Sequence, residues 1–303
     1  MCRDAAFVLT PHTEKNTRRE NQMIIGCFAL IEPFTPMERQ FQAIAEMGVK
    51  YADLTDSHDG ASLSAEYGFG AAISLDGHPG RIREMAAAAD LTLTTVCAHA
   101  NLLDAASPEV YGTFEIVKAV RLAALLGIKH VITTEGEPRT DFGHNLTESE
   151  RIFSVREKLQ TPIAWARELG VTILLETHGP VTDSVERMGD LLDAIGADDT
   201  IGICLDTGNS WLGGAEPLDY VKTFGTRIGH VHWKDMPADM EGKRGEMFGC
   251  GMAVIPLGDG VIDLPPIIAA LQEIGFEGGT TLEIAGGDNV RKSVERLNGW
   301  LGQ

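Results

Sequence analysis

From residue 23 onward, short runs of apolar residues alternate with longer stretches of helical periodicity, and the alternation repeats eight times. The apolar runs cover residues 24–30, 49–54, 91–98, 128–133, 171–176, 200–206, 227–232 and 279–284. The helical stretches cover 37–47, 79–89, 108–126, 148–169, 184–195, 217–224, 264–274 and 289–301. Proline stands at the start of several (Pro36, Pro79, Pro108, Pro217), and glycine follows the end of most (Gly48, Gly127, Gly170, Gly196, Gly225, Gly275). Proline fits the first helical turn and glycine the left-handed residue after the last. Strands that are apolar along their whole length are buried on both faces, as in a parallel sheet covered by helices. Eight strand-then-helix units are therefore expected to close into a (β/α)8 TIM barrel. An open doubly wound sheet usually carries a glycine-rich turn after its first strand, and Cys27-Phe-Ala-Leu-Ile-Glu-Pro-Phe34 has none.

The chain has 303 residues, 44% of them hydrophobic, enough for one barrel domain over residues 23–303. Residues 1–22 are polar and charged and are expected to form a disordered N-terminal extension. They lack the apolar stretch of a secretory signal, and no run approaches the ~18 apolar residues that a membrane helix needs. Five cysteines (Cys2, Cys27, Cys97, Cys204, Cys250) make an odd count without a CxxC pair, which points to a reducing compartment and a cytoplasmic location. A net charge of −19 without a basic block disfavours nucleic acid as a partner.

In a barrel of this kind the active site lies at the C-terminal ends of the strands. Glu176, Asp206, His232 and Glu283 fall at those ends on strands five to eight, so the spacing predicts that they converge on one site. Three carboxylates and one imidazole make a hard donor set that suits six-coordinate Mn²⁺ by preference, with Mg²⁺ or Co²⁺ as substitutes, better than a thiolate zinc site. Long loops after the strands, over residues 56–78, 134–147 and 234–262, are expected to shape the substrate pocket. Around the cluster, His178, His99 and Lys234 are candidates for substrate contact. His230 is expected to face the helices, and His58 and His144 to be solvated in loops. Lys234 with Asp235 also reads as a salt bridge at the rim. Trp211, Trp233 and Phe248 fit either an apolar wall or the core, and Gly258-Asp-Gly260 reads as a tight turn more readily than as a phosphate cradle. Without a basic cluster nearby, an unphosphorylated substrate is favoured.

The segments Leu175-Glu-Thr-His178, Leu205-Asp-Thr-Gly-Asn209, Gly229-His-Val-His-Trp-Lys-Asp235, Leu257-Gly-Asp-Gly-Val-Ile-Asp263 and Leu282-Glu-Ile284, in this order, resemble the xylose-isomerase-like barrel superfamily over residues 23–290. That superfamily includes ketose 3-epimerases, inosose isomerases and dehydratases, C-glycoside deglycosidase subunits and endonuclease IV. The resemblance implies that Glu176, Asp206, His232 and Glu283 ligate a divalent metal and that Glu176 and Glu283 also act as the acid/base pair. Asn209 stands where many ketose epimerases carry histidine, and is a further candidate for substrate contact. Ala238 replaces an arginine that those epimerases use for substrate.

The first expectation is accordingly an isomerase or epimerase of a keto-sugar or keto-polyol, acting through an enediolate with two glutamates. The alternative is a lyase with the same first step followed by β-elimination, as in an inosose dehydratase or a deglycosidase of 3-keto glycosides. An endonuclease IV-like DNA-repair enzyme fits the acidic composition less well. The partners expected are a small sugar or polyol, with no membrane and no nucleic acid, and a homo-oligomer, or a hetero-oligomer with a small subunit if the protein is a deglycosidase.

Overall fold

The computed structural model describes residues 23–32, 35–55, 75, 77–104, 112–196, 199–251 and 254–302. Eight parallel strands close into a barrel in sequence order: β1 Ile24–Phe28, β2 Tyr51–Thr55, β3 Thr92–Ala98, β4 His130–Thr133, β5 Thr172–Glu176, β6 Ile201–Asp206, β7 Ile228–Trp233 and β8 Gly279–Leu282. The barrel is sealed by pairing of β1 with β8, Ile24 opposite Gly279 and Cys27 opposite Leu282. Helices α1 Met37–Glu46, α2 Pro79–Ala88, α3 Thr113–Leu126, α4 Asp141–Asn145, α5 Glu148–Leu169, α6 Val185–Ile195, α7 Thr207–Leu212, α8 Pro217–Phe224, α9 Leu264–Glu273 and α10 Gly287–Leu301 follow the strands. The expected (β/α)8 barrel is the observed fold.

Local chemistry sets the helix limits. Thr147 accepts the Glu150 N–H while the Glu150 carboxylate accepts the Thr147 N–H, a capping box that starts α5. The helix stops at Gly170, which adopts the left-handed conformation at φ 64°. The segment expected to be helical from residue 108 is helical from Thr113; residues 105–111 lie outside the described residues. So do residues 1–22, His58 and most of the loop 56–78. No helix among the described residues is long and apolar enough to cross a membrane.

Two apolar layers hold the fold. Between strands and helices lie Phe41, Ile44, Ile116, Leu159, Leu192 and Leu271, all essentially unexposed. A separate cluster of Phe28, Leu30, Cys97, Ile132, Leu174 and Cys204 fills the barrel interior. Each large aliphatic side chain buried this way contributes about 1.5–3 kcal/mol. The interior cluster is small because polar side chains occupy the layer above it. Trp233 is fully buried in the core, and Trp211 is buried beneath the Arg244 guanidinium, 4.7 Å above its ring.

Candidate metal centre

Residues two apart on a strand share a face. Leu174 and Cys204 point into the barrel, and Glu176 and Asp206 follow each of them by two residues. On β7 the same rule places His230 and His232 together inside. The expectation that His230 faces the helices is thus corrected: its Nε2 lies 3.0 Å from the carboxylate of Asp53 on β2. Glu283 stands one residue past β8, its N–H donating to the Trp233 carbonyl at 3.3 Å, which keeps it in line with the strand.

Donor atoms of Glu176, Asp206, His232 and Glu283 all lie within 4.8 Å of one another. His232 Nδ1 faces the three carboxylates, 3.3 Å from Glu176 Oε1, 3.2 Å from Glu283 Oε2 and 3.9 Å from Asp206 Oδ2. The histidine and two of the acids are buried, and the Glu283 side chain keeps 18% of its exposure. Glu176 Oε2 is buried with no hydrogen-bond partner. Asp206 Oδ2 and Glu283 Oε2 lack well-aligned hydrogen bonds and have the Lys234 ammonium at 2.8 and 2.9 Å. Buried carboxylate oxygens left in this way, beside an imidazole nitrogen aimed at them, fit a divalent cation.

Lys234 is 2% exposed, enclosed by the site rather than standing at its rim. The Lys234–Asp235 salt bridge is not formed. Asp235 turns away and accepts the N–H groups of Met236, Gly258, Gly260 and Ile262. Those bonds build the Gly258-Asp-Gly260 turn and consume its amides, and a Cβ at Gly260 would collide with the Asp235 carboxylate.

Burial alone would raise every acid here, and the cations decide the outcome. His232 and Lys234 outweigh burial at Glu176 and hold its carboxyl well below the usual range. Burial is likewise overcome at Glu283, where Lys234 and His232 bring the carboxyl down to about 2. At Asp206 burial prevails over the pull of Lys234, with the neighbouring carboxylates adding to it, and the carboxyl is pushed up to about 7. Lys234 itself is held well above its usual value by Asp206 and the other acids, despite burial. The thiols of Cys97 and Cys204 are kept protonated by burial, which disfavours thiolate ligation.

Among the other candidates, Asn209 is fully buried. Its amide donates to Glu176 Oε1 at 3.3 Å, and its carbonyl oxygen accepts the Cys250 N–H at 2.9 Å. Its carboxamide therefore ties Glu176 to the loop after β7. His178 is half-buried, with its N–H held by the Thr182 hydroxyl at 2.9 Å. Burial pushes its imidazole down to about 4, so the ring is neutral at pH 7. Gly249 packs on that ring so closely that any Cβ there would strike it, and its φ of 83° suits glycine. His99 is half-buried just past β3, edge-on to Phe28 at 6.3 Å, and its charge bears on His178. His144, in α4, is exposed. Among the buried acids that escaped the sequence analysis, two bear on the site, Asp53 and Glu135. Asp53 lies mid-strand, where the only signal was an ionisable residue in an apolar run. Glu135, after β4, accepts the Val181 and Thr182 N–H groups and clasps the loop that carries His178.

Comparison with known proteins gives a consistent picture. Residues 41–300 match the family model described as xylose isomerase-like TIM barrel. An inosose dehydratase of Lacticaseibacillus casei is 34% identical over 129 residues, 39% of this chain and 42% of that protein. One from Clostridium perfringens is 27% identical over 169 residues, 50% of this chain and 56% of that protein. The matched part thus spans about half the length of these curated relatives. Among solved structures, a D-tagatose 3-epimerase-like protein superposes with TM-score 0.69 at 20% identity, covering 92% of this chain and 97% of that one. An IolI protein with a bound zinc atom superposes with TM-score 0.71 at 15% identity, covering 92% of this chain and 98% of that one. At such identities these likenesses speak for the fold alone.

Proposed function

The chain belongs to the xylose isomerase-like TIM barrel family, and from that premise we propose that it is a divalent-metal-dependent enzyme that enolises a keto-polyol and expels water from the carbon next to the acidic one. The observation that carries this reading is the convergence of Glu176, Asp206, His232 and Glu283 at the mouth of the barrel. A Mn²⁺, Mg²⁺ or Co²⁺ ion held by these four residues would polarise a substrate carbonyl and acidify the adjacent C–H bond.

The protein's own groups do the rest. Glu176, at the end of β5, and Glu283, just past β8, both reach the same imidazole nitrogen, at 3.3 and 3.2 Å, and so both border one reacting position. One carboxylate takes the α-proton, and the electron pair of that C–H bond becomes the new double bond. As the C–O bond at the β-carbon breaks, the departing oxygen takes that proton from the carboxyl that now carries it and leaves as water. Lys234, with its ammonium beside Asp206 and Glu283, is placed to bind a substrate oxygen. Dehydration is favoured by the inosose dehydratases among the relatives. Ketose 3-epimerisation in particular is disfavoured by Asn209 and Ala238, which stand where the resembled ketose epimerases carry histidine and arginine. Epimerisation stays as the second reading because both glutamates are present: the same pair could return the proton to the opposite face of the carbon.

The test is turnover of inososes, free ketoses and 3-keto glycosides by chelated protein with and without added Mn²⁺, with loss of water followed by mass. Mn²⁺ is expected to restore activity, and Glu176→Gln and Glu283→Gln are each expected to lower turnover by roughly 10²-fold or more while substrate still binds. Full activity in the chelated protein, or both variants at wild-type rates, would defeat the scheme.

A further inference from the structure

Behind the ligand cluster lies a second group of polar side chains that the reaction outlined above does not use. Asp53, at the centre of β2, is wholly buried, as are His230 and Thr281. Its Oδ2 accepts the Thr281 hydroxyl at 2.7 Å and lies 3.0 Å from His230 Nε2; its Oδ1 accepts the Thr94 hydroxyl. His230 Nε2 also lies 2.8 Å from Thr281 Oγ1. Three side chains from three other strands thus pin the Asp53 carboxylate in place. The edge of the His232 ring remote from the ligand carboxylates faces this group: His232 Nε2 is 3.4 Å from Asp53 Oδ2, with the Cys97 and Cys204 thiols also beside the ring.

A neutral imidazole carries one N–H. If Nδ1 is to offer its lone pair to a cation, the proton must sit on Nε2, and inside a barrel that proton needs an acceptor. Asp53 is held by its three partners, and a tilt of the His232 ring by a few tenths of an ångström would bring the 3.4 Å separation to a normal hydrogen bond. The T-shaped packing of the ring against Phe28 at 5.8 Å and His230 at 5.3 Å limits it to that small motion. We propose that Asp53 is a positioning residue of the metal centre: it accepts the Nε2 proton of His232 and so holds Nδ1 toward Glu176, Asp206 and Glu283. The proposal rests on the reading of His232 as a ligand. It gives a function to an aspartate buried in the middle of an apolar strand, where desolvating a carboxylate carries a cost that its partners must offset.

The test titrates the metal-free wild type, Asp53→Asn and Asp53→Leu with Mn²⁺, following the free ion by its electron paramagnetic resonance. In parallel, the Zn²⁺-loaded, ¹⁵N-histidine-labelled proteins are examined for the Nε2–H signal of the ligating ring. Asp53→Leu is expected to weaken Mn²⁺ binding by about 10–100-fold, with Asp53→Asn in between because its amide oxygen still accepts. In Asp53→Asn the Nε2 proton resonance should move upfield as the acceptor loses its charge. A purely structural role would lower the melting temperature of the metal-free variants and leave both readouts unchanged, which overturns the proposal. Should Asp53→Leu fail to fold, an unmoved Nε2–H signal in Asp53→Asn overturns it alone. Binding of two ions by the wild type, with the second lost in Asp53→Asn, would make Asp53 a ligand and overturn it as well. Absence of any Mn²⁺ binding by the wild type is a separate result, which removes the ligand reading of His232 itself.

Discussion

Lys234 illustrates how a single residue depends on geometry that its neighbours in sequence do not reveal. Beside Asp235 it reads as half of a rim ion pair; in the barrel its ammonium instead bridges Asp206 and Glu283 at 2.8 and 2.9 Å. A cation there offsets the mutual repulsion of the acids, and it also repels any metal ion that arrives. Lys234→Met is therefore expected to bind Mn²⁺ about tenfold more tightly while turnover falls by roughly 10²-fold, the opposite signs separating electrostatic competition from catalysis. Calorimetric titration beside steady-state rates measures both, and parallel losses of affinity and rate would contradict this account. The four ligand candidates could be read from sequence because each ends an apolar strand. Asp53 could not, because its partners on β3, β7 and β8 come near it only when the barrel closes.

Among the elements, strands and helix ends were the most legible, since apolar runs and glycine stops are local signals. The loops were not, because remote side chains fold them: Asp235 gathers the turn at residues 258–260, and Glu135 gathers residues 181–182 from across the neighbouring strand. Burial pushes the Glu135 carboxyl from 4.5 up to about 8, against the pull of the Thr182 and Val181 N–H groups. A carboxyl that holds its proton more tightly when folded supports the fold fully below its ordinary value, and that support is lost as pH rises toward the folded value. The urea midpoint is thus expected to fall between pH 5 and pH 8, with the fall reduced in Glu135→Gln. An equal slope in that variant would assign the dependence to other groups.

For the molecule as a whole, the candidate ligand cluster is built on strands already joined by a complete ring of hydrogen bonds, and Lys234 supplies a counter-charge without any ion. Chelation should therefore leave the barrel folded. Adding Mn²⁺ at about 100 times its dissociation constant stabilises by about 2.7 kcal/mol, which for a chain of this size raises the melting temperature by roughly 5 °C. Calorimetry of chelated protein checks this, and loss of the cooperative transition on chelation would show that the ion is part of the fold. The seam between β1 and β8 has one more consequence. The Thr280 hydroxyl bonds the Ile24 carbonyl across 256 residues of chain, so a growing polypeptide must keep that edge of its first strand unpaired until β8 has been made. Glu283 emerges just after that closing strand. The interval before it is the period in which a nascent chain is most open to capture by a chaperone or by another nascent copy, and a ribosome-stalled chain ending before residue 279 should fold no site at all.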